Sequence, residues 1–444
     1  MNSTRAKWSA RLPLVLVVVA MLVYLVLIPP FQNPDEVQHF AGIAAELYPI
    51  SEHARLETAI IHILWETRWF VFVGMAQPDR PPEKLSRIYF LRNVQGSFSF
   101  GRGLNLFHQL YARILRPFRK LSLVNLFYLA RLLSLLWTLL SLLLAYRFLA
   151  TRPDTAAGPR IWLFFLVPQF MILGTAVNYD VLAVFFGTLF FVSLFRLTER
   201  FSWWQLAGIM IGLFGALFAK KGGWLFFFFL LAGLLLGKGF GRRFRTSFLA
   251  LAGTVLLFSW VNYLLPGKIF KLYHYLFTGI GRLYECDSAT SIAMGFGDFL
   301  LVLGKSFFAM IGWMAFDVHW IWYAGFFFIF GVALLAWATK IFKHKEWYLP
   351  VFAVLVLVIQ VAAIWQWYGN RGIAPQGRYI FPLWLPLIMV MIAGLRRLDQ
   401  RFSPHRGVWT RVYLGGLVLA NAMVIFARII PVFYLAMRSP HGGM

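Results

Sequence analysis

Residues 12–40 read LPLVLVVVAMLVYLVLIPPFQNPDEVQHF, and the break inside that stretch decides how the chain is built. Leu12 to Ile28 is one apolar run. It is long for the core of a secretory signal and lacks a small-residue cleavage site, so it reads as a retained membrane helix. Pro29 and Pro30 end the run. Asn33 is a helix-capping residue type, Pro34 suits a first turn, and Asp35 and Glu36 follow at once. His39 stands four residues past Asp35 and three past Glu36, so helical spacing puts its imidazole on their side. The first span thus delivers an acid pair and a histidine to a membrane surface.

The rest of the chain is built for the same solvent. Of 444 residues, 60% are hydrophobic and only 13% charged, and many apolar runs approach the ~20 residues that cross a bilayer as a helix. The expected fold is all-α: a single polytopic membrane domain over residues 1–444. A net charge of +25 in a soluble protein would suggest nucleic acid, but here its placement decides. The cations collect between apolar runs, as at Arg147, Arg152 and Arg160, at Lys238 to Arg245, at Lys340 to Lys345 and at Arg396 to Arg411. Such loops stay in the cytoplasm, beside anionic lipid, and no nucleic-acid partner is expected. One cysteine, Cys286, excludes an internal disulfide and a cysteine metal cluster, and no P-loop, GxGxxG or HExxH pattern occurs.

With those loops inside, helices are expected near 12–29, 123–148, 161–177, 181–197, 204–219, 224–237, 247–265, 318–338, 348–366, 380–394 and 412–430, about eleven crossings. Residues 299–316 are also apolar. Counting them as a span would put Lys340 to Lys345 outside, so they are expected to form a re-entrant or interfacial helix. Two long outer segments remain, 30–122 and 266–317. In the first, Val37, Phe40, Ala44 and Leu47 recur at helical spacing, which predicts an amphipathic helix along the membrane surface. Leu104 to Leu121 predicts a second, and Pro78 to Pro82 and Gly96 to Gly103 read as mobile loops. His108 is expected to be a surface residue.

Four short outer stretches hold the chemistry: Asp35-Glu36 with His39, the turn Asn178-Tyr179-Asp180, the turn Lys220-Lys221-Gly222-Gly223, and Asn370-Arg371 through Gln376-Gly377-Arg378-Tyr379. The lysine pair goes against the scarcity of Lys in outer turns. It suits a phosphate; the competing reading is that both lysines snorkel to the interface. Arg378 can grip a phosphate with two parallel hydrogen bonds or form a structural ion pair. Asn33-x-x-Glu36 fits a capping box, which accounts for Glu36 but leaves Asp35 and His39 without a structural task. Asp180 can cap its own helix. Together, carboxylates that take a proton from a hydroxyl and cations that stabilise a phosphate leaving group are the equipment for moving a sugar off a polyprenyl phosphate.

The chain resembles the GT-C superfamily of integral-membrane glycosyltransferases. Pro34 to Phe40 after the first span is similar to the Asp-Glu signature of protein O-mannosyltransferases. It is closer still to a bacterial family of membrane proteins of unknown function that combines Pro-Asp-Glu-x-x-His, Asn-x-Asp and Gln-Gly-Arg-Tyr elements. All three occur here in order, at Pro34 to His39, Asn178 to Asp180 and Gln376 to Tyr379. The resemblance implies an inverting transfer from a polyprenyl-phosphate sugar, on the extracytoplasmic face of a bacterial cytoplasmic membrane. It implies Asp35 as general base, Glu36 orienting it or binding the acceptor, and Asp180 as a second acid. His39, Asn178, Arg371, Gln376 and Tyr379 would line the substrate site. Charge placement, more than the family pattern, assigns Lys220, Lys221 and Arg378 to the donor phosphate. No large soluble domain follows the last span, so a glycolipid or cell-envelope glycan acceptor is expected over a peptide. No cofactor is required, although Asp35, Glu36 and Asp180 could hold Mg²⁺ or Mn²⁺ if they converge. The rival readings are a transporter or flippase of lipid-linked saccharides and a glycan polymerase or ligase with a lipid-diphosphate donor.

Overall fold

The computed structural model describes residues 2–73, 76–85, 106–152, 158–199, 202–220, 295–311, 316–341, 348–371, 375–402 and 407–435. The spans expected at 224–237 and 247–265, the loop at Gly96 to Gly103, and Lys221 and Cys286 lie outside the described residues. In chain order the helices are α1 (Asn2–Leu27), α2 (Glu36–Leu47), α3 (His53–Glu66), α4 (Trp69–Phe72), α5 (Leu106–Leu115), α6 (Leu123–Ala150), α7 (Pro168–Gly174), α8 (Asp180–Glu199) and α9 (Trp203–Ala219). After them come α10 (Phe296–Phe308), α11 (Trp320–Ile341), α12 (Tyr348–Arg371), α13 (Trp384–Phe402) and α14 (Val408–Val424). Among the described residues the one β element is a two-residue ribbon, β1 (Met310–Ile311) against β2 (Phe316–Asp317), so the chain is all-α.

Five helical stretches are long and apolar enough to cross a membrane: Leu123–Ala150, Asp180–Leu197, Trp320–Thr339, Gly377–Phe402 and Val408–Leu435. Shorter apolar helices cover Leu12–Leu27, Trp203–Ala219 and Leu357–Gln366. This is a helical membrane protein. α10 has 13 residues, about 20 Å of helix, and stops at the β1–β2 ribbon short of a bilayer's thickness.

Two expected spans differ in detail. Residues 161–177 form a 3₁₀ segment, Gly158–Phe165, followed by the short α7, because Pro168 has no N–H to give and holds Val167 extended. The tenth span begins earlier than residue 380, in a 3₁₀ turn over Gly377–Leu383 that runs into α13.

α6 shows how an apolar helix acquires a direction. Ser122 caps it by accepting from the Asn125 N–H at 3.3 Å. Its buried face carries Arg131, Ser134, Thr138, Ser141 and Ala145, at steps of three and four residues. The hydroxyls return to helical carbonyls, and Thr138 also reaches the Gly174 carbonyl of α7 at 2.9 Å. α9 meets α8 through glycine: a Cβ on Gly212 would stand 2.7 Å from the Phe190 backbone nitrogen, so only a bare Cα allows this approach.

The buried side chains form two large clusters. The larger lies among α1, α6 to α11, α13 and α14. The second holds α2 to α5 against the starts of α6 and α8. α2 is therefore enclosed by protein on more than one face. Val37, Phe40, Ala44 and Leu47 are buried as the spacing predicts, but so are Ala41, Ile43 and Ala45, because α5 and α6 close over the remaining faces. The Trp65 indole donates to the Pro78 carbonyl at 2.9 Å, and beyond Pro82 the Leu85 N–H donates to Glu57 at 2.8 Å. The second predicted amphipathic helix is shorter than expected, Leu106–Leu115.

Candidate functional site

Asp35 and Glu36 part company at the start of α2. Asp35 is the N-cap residue with φ 64°, a left-handed conformation that aspartate tolerates better than most residues, and its side chain makes no cap bond. The helix thus starts at Glu36, later than Asn33 and Pro34 suggest. Half of the expected capping box is present: the Asn33 N–H donates to Glu36 Oε2 at 3.3 Å.

Glu36 is fully buried against Arg131 of α6, which donates to it from Nε at 2.9 Å and from Nη2 at 2.7 Å. Arg131 also donates to the carbonyls of Leu25, Ile28 and Pro29, so all five of its N–H groups are used. Those carbonyls lie at and beyond the end of α1, which a guanidinium caps well. Glu36 Oε1 accepts in addition from the Val177 N–H at 3.0 Å. One carboxylate and one guanidinium thereby lock α1, α2, α6 and the turn before α8 together.

That turn is fastened to the first acid motif a second time. Asn178 donates through Nδ2 to the Pro34 carbonyl at 3.4 Å, and its Oδ1 accepts from the Asp180 N–H at 2.9 Å. The result is that Asp35 and Asp180, 145 positions apart in the chain, face the same guanidinium. Arg378 Nη2 pairs with Asp35 Oδ2, and Arg378 Nη1 lies 3.6 Å from Asp180 Oδ2. Lys220, at the end of α9, pairs with Asp180 Oδ1.

Arg378 is aimed by its own turn. The Gly377 N–H donates to Ser306 Oγ of α10 at 2.7 Å, and Gln360 of α12 donates to the Tyr379 carbonyl at 2.9 Å. A Cβ on Gly377 would stand 2.2 Å from the Phe307 backbone nitrogen, so glycine is required for this seat. Aromatic faces complete the enclosure: the Lys220 ammonium lies 4.4 Å from the Tyr379 ring centre and 5.2 Å from that of Tyr179.

Two carboxylates and two cations cancel in formal charge, which is how four ionic groups tolerate burial. Their side chains are not equally hidden: Lys220, Asp180 and Arg378 are 9%, 2% and 4% exposed, whereas Asp35 is 22% exposed. Asp35 is the open corner of the cluster. Burial pulls the Lys220 ammonium below its ordinary range, and the Asp180 carboxylate pulls the other way. Among the described residues, Arg378 Nε and Nη1 are buried without a hydrogen-bond partner. Unsatisfied buried donors of this kind cost about 1–3 kcal/mol each.

His39 sits beside this cluster, its ring edge-on to Tyr179 at 4.3 Å. His108 of α5, expected at the surface, meets it instead: His39 Nδ1 and His108 Nε2 are 3.2 Å apart. Gln376 precedes the Arg378 turn, its Oε1 buried with no hydrogen-bond partner among the described residues. Arg371 ends α12. Glu36 is filled by Arg131 and backbone N–H groups, while Asp35 and Asp180 are held by Arg378 and Lys220. No group of three or more His, Cys, Asp or Glu placed to hold a metal occurs among the described residues.

Next to the Arg378 turn lies an aromatic crevice of about 30 Å³, lined by Phe170, Phe307, Phe326, Phe381 and Trp384 among others. Residue reasoning missed Arg131 and His108. A lone arginine inside a membrane-length apolar run is itself a signal, because charge in lipid needs a partner. His108 carries no such signal in the sequence.

Fold and site define a helical membrane protein with an enclosed cluster of two acids and two cations, open at one carboxylate. A scan against protein-family models gives no match, and neither do searches of curated proteins and of solved structures.

Proposed function

We propose that this chain is a GT-C-type glycosyltransferase. It moves a sugar from a polyprenyl-phosphate donor to a glycolipid or cell-envelope glycan, on the extracytoplasmic side of a bacterial cytoplasmic membrane and within a fold of about eleven crossings. The observation that carries the reading is the convergence of Asp35, Asp180, Lys220 and Arg378 from four distant segments into one cluster.

The chemistry follows from the charge balance. The acceptor hydroxyl loses its proton to Asp35, the only one of the four with substantial exposure. The acceptor oxygen bonds to the sugar's anomeric carbon as the bond from that carbon to the phosphate oxygen breaks, with inversion. The electron pair leaves on the phosphate, which gains one negative charge. Protonation of Asp35 removes the negative partner of Arg378, so the guanidinium is freed just as the phosphate needs a cation. Lys220, held against Asp180, adds a second positive charge. Glu36 acts one step back, fixing the turn that aims Asp35.

The test is reconstitution of the full chain in sealed proteoliposomes with a radiolabelled polyprenyl-phosphate hexose and glycolipid acceptors. Label should move to acceptor, and Lys220→Ala should weaken donor binding more than acceptor binding. Movement of the intact lipid-linked sugar across the bilayer, without transfer, would establish the transporter reading instead.

A further inference from the structure

The histidine pair is the best-built feature that the transfer chemistry leaves unused. His39 is 5% exposed and lies in the first turn of α2. Its Nδ1 meets His108 Nε2 at 3.2 Å, while its Nε2 is buried with no hydrogen-bond partner. The contact is made room for: a Cβ on Gly42, one turn further along α2, would stand 2.9 Å from the His108 ring. The edges of Phe107 and Tyr179 hold the His39 ring at 5.5 and 4.3 Å. Such a site costs free energy when empty, because a buried polar atom is left unsatisfied.

Two imidazoles that share one hydrogen bond must place one proton between them, so either His39 Nδ1 or His108 Nε2 carries it. The positive charges of Arg378 and Lys220 both act on the His39 ring. With the shared proton on His39 Nδ1, Nε2 presents a lone pair; with His108 as the donor, Nε2 would instead carry a buried N–H without a partner. Burial holds His39 neutral well below its ordinary range, with His108, Arg378 and Lys220 acting in the same direction. Burial also holds His108 down to about 4. Both rings are therefore neutral near pH 7, and one of the two nitrogens that face each other carries a proton.

We propose that His39 Nε2 accepts a hydrogen bond from a hydroxyl of the bound sugar, and that His108 is its positioning residue, holding the Nδ1–H tautomer by accepting a hydrogen bond from it. This rests on the glycosyl-transfer reading for the identity of the ligand, though not for the tautomer. No proton changes hands in this role; the pair orients and selects a hydroxylated ligand.

The test uses the full chain in nanodiscs with ¹⁵N-labelled histidine, assigned through His39→Gln and His108→Gln. In the free protein His39 should show an unprotonated Nε2 and a protonated Nδ1, and His108→Phe should abolish that preference. A polyprenyl-phosphate hexose should shift the Nε2 resonance, and His39→Phe should weaken its binding about tenfold. His39→Gln, which keeps an acceptor and a donor, should restore most of it. The same polyprenyl phosphate without sugar should bind both forms equally. An Nε2–H tautomer in the free protein, or one unmoved by His108→Phe, overturns the proposal. So does equal loss of both lipids in His39→Phe. Failure of either lipid to bind wild-type protein overturns the transfer reading, and the free-protein tautomer still decides the pair.

Discussion

Asp35 and Glu36 are neighbours whose carboxylates serve different guanidinium groups, and the difference predicts how each responds to change. Glu36 accepts four hydrogen bonds in a fully buried position and faces Arg131, whose donors are all engaged. Glu36→Ala strands that charge inside the protein and should cost about 3–5 kcal/mol of stability, read as a lower thermal midpoint in detergent and poor yield. Asp35→Asn removes a charge from the open corner of the cluster and should lower the midpoint far less. Equal losses would show that Asp35 is as structural as Glu36. Much at this scale was legible. The acid pair, the Asn178 to Asp180 turn, Lys220 and Arg378 all stood out by residue type and placement. What spacing cannot say is which acid meets which cation, since Asp35 and Arg378 lie 343 positions apart. Arg131 was hidden by the apolar run around it, although that surrounding is what obliges it to find Glu36.

The packing of α2 against α5 sets an acid limit on the fold. His108 titrates near 6.5 when unfolded but is pushed down to about 4 by burial in the folded chain, and His39 is held well below 6.5. Between those values the unfolded state binds protons that the folded state refuses, so stability is full above pH 6.5 and falls as pH drops toward about 4. For His108 alone the loss is roughly 3 kcal/mol. The thermal midpoint of wild type should therefore fall more steeply from pH 7 to pH 5 than that of His108→Gln; identical slopes would mean that His108 titrates freely. Element positions were mostly legible from apolar runs and failed where local chemistry overrides a run. Pro168 splits one expected span into a 3₁₀ segment and a short helix, and α2 is enclosed on faces that its periodicity left open. Burial by α5 depends on contacts 60 and more residues away, which a 12-residue pattern cannot encode.

On the scale of the whole molecule, transfer on the extracytoplasmic face requires the acid-bearing segment and the end of α6 to lie on opposite sides of a membrane. After Cys286→Ser, a cysteine placed at Asp79 should react with impermeant reagent from outside only, and one at Thr151 from the cytoplasm only. Reaction of both from one side would mean that Leu123–Ala150 does not cross. The membrane class was legible from composition, because no other solvent accepts so much apolar helix. The convergence of four distant segments was not, since it depends on how helices pack. That convergence gives the central claim its most direct measurement: sugar transfer by reconstituted Asp35→Asn, alongside its affinity for the polyprenyl-phosphate sugar. Turnover should fall by about 10²–10⁴-fold with donor affinity kept or raised, since Arg378 is then free of its carboxylate. Turnover equal to wild type in that variant would contradict the claim.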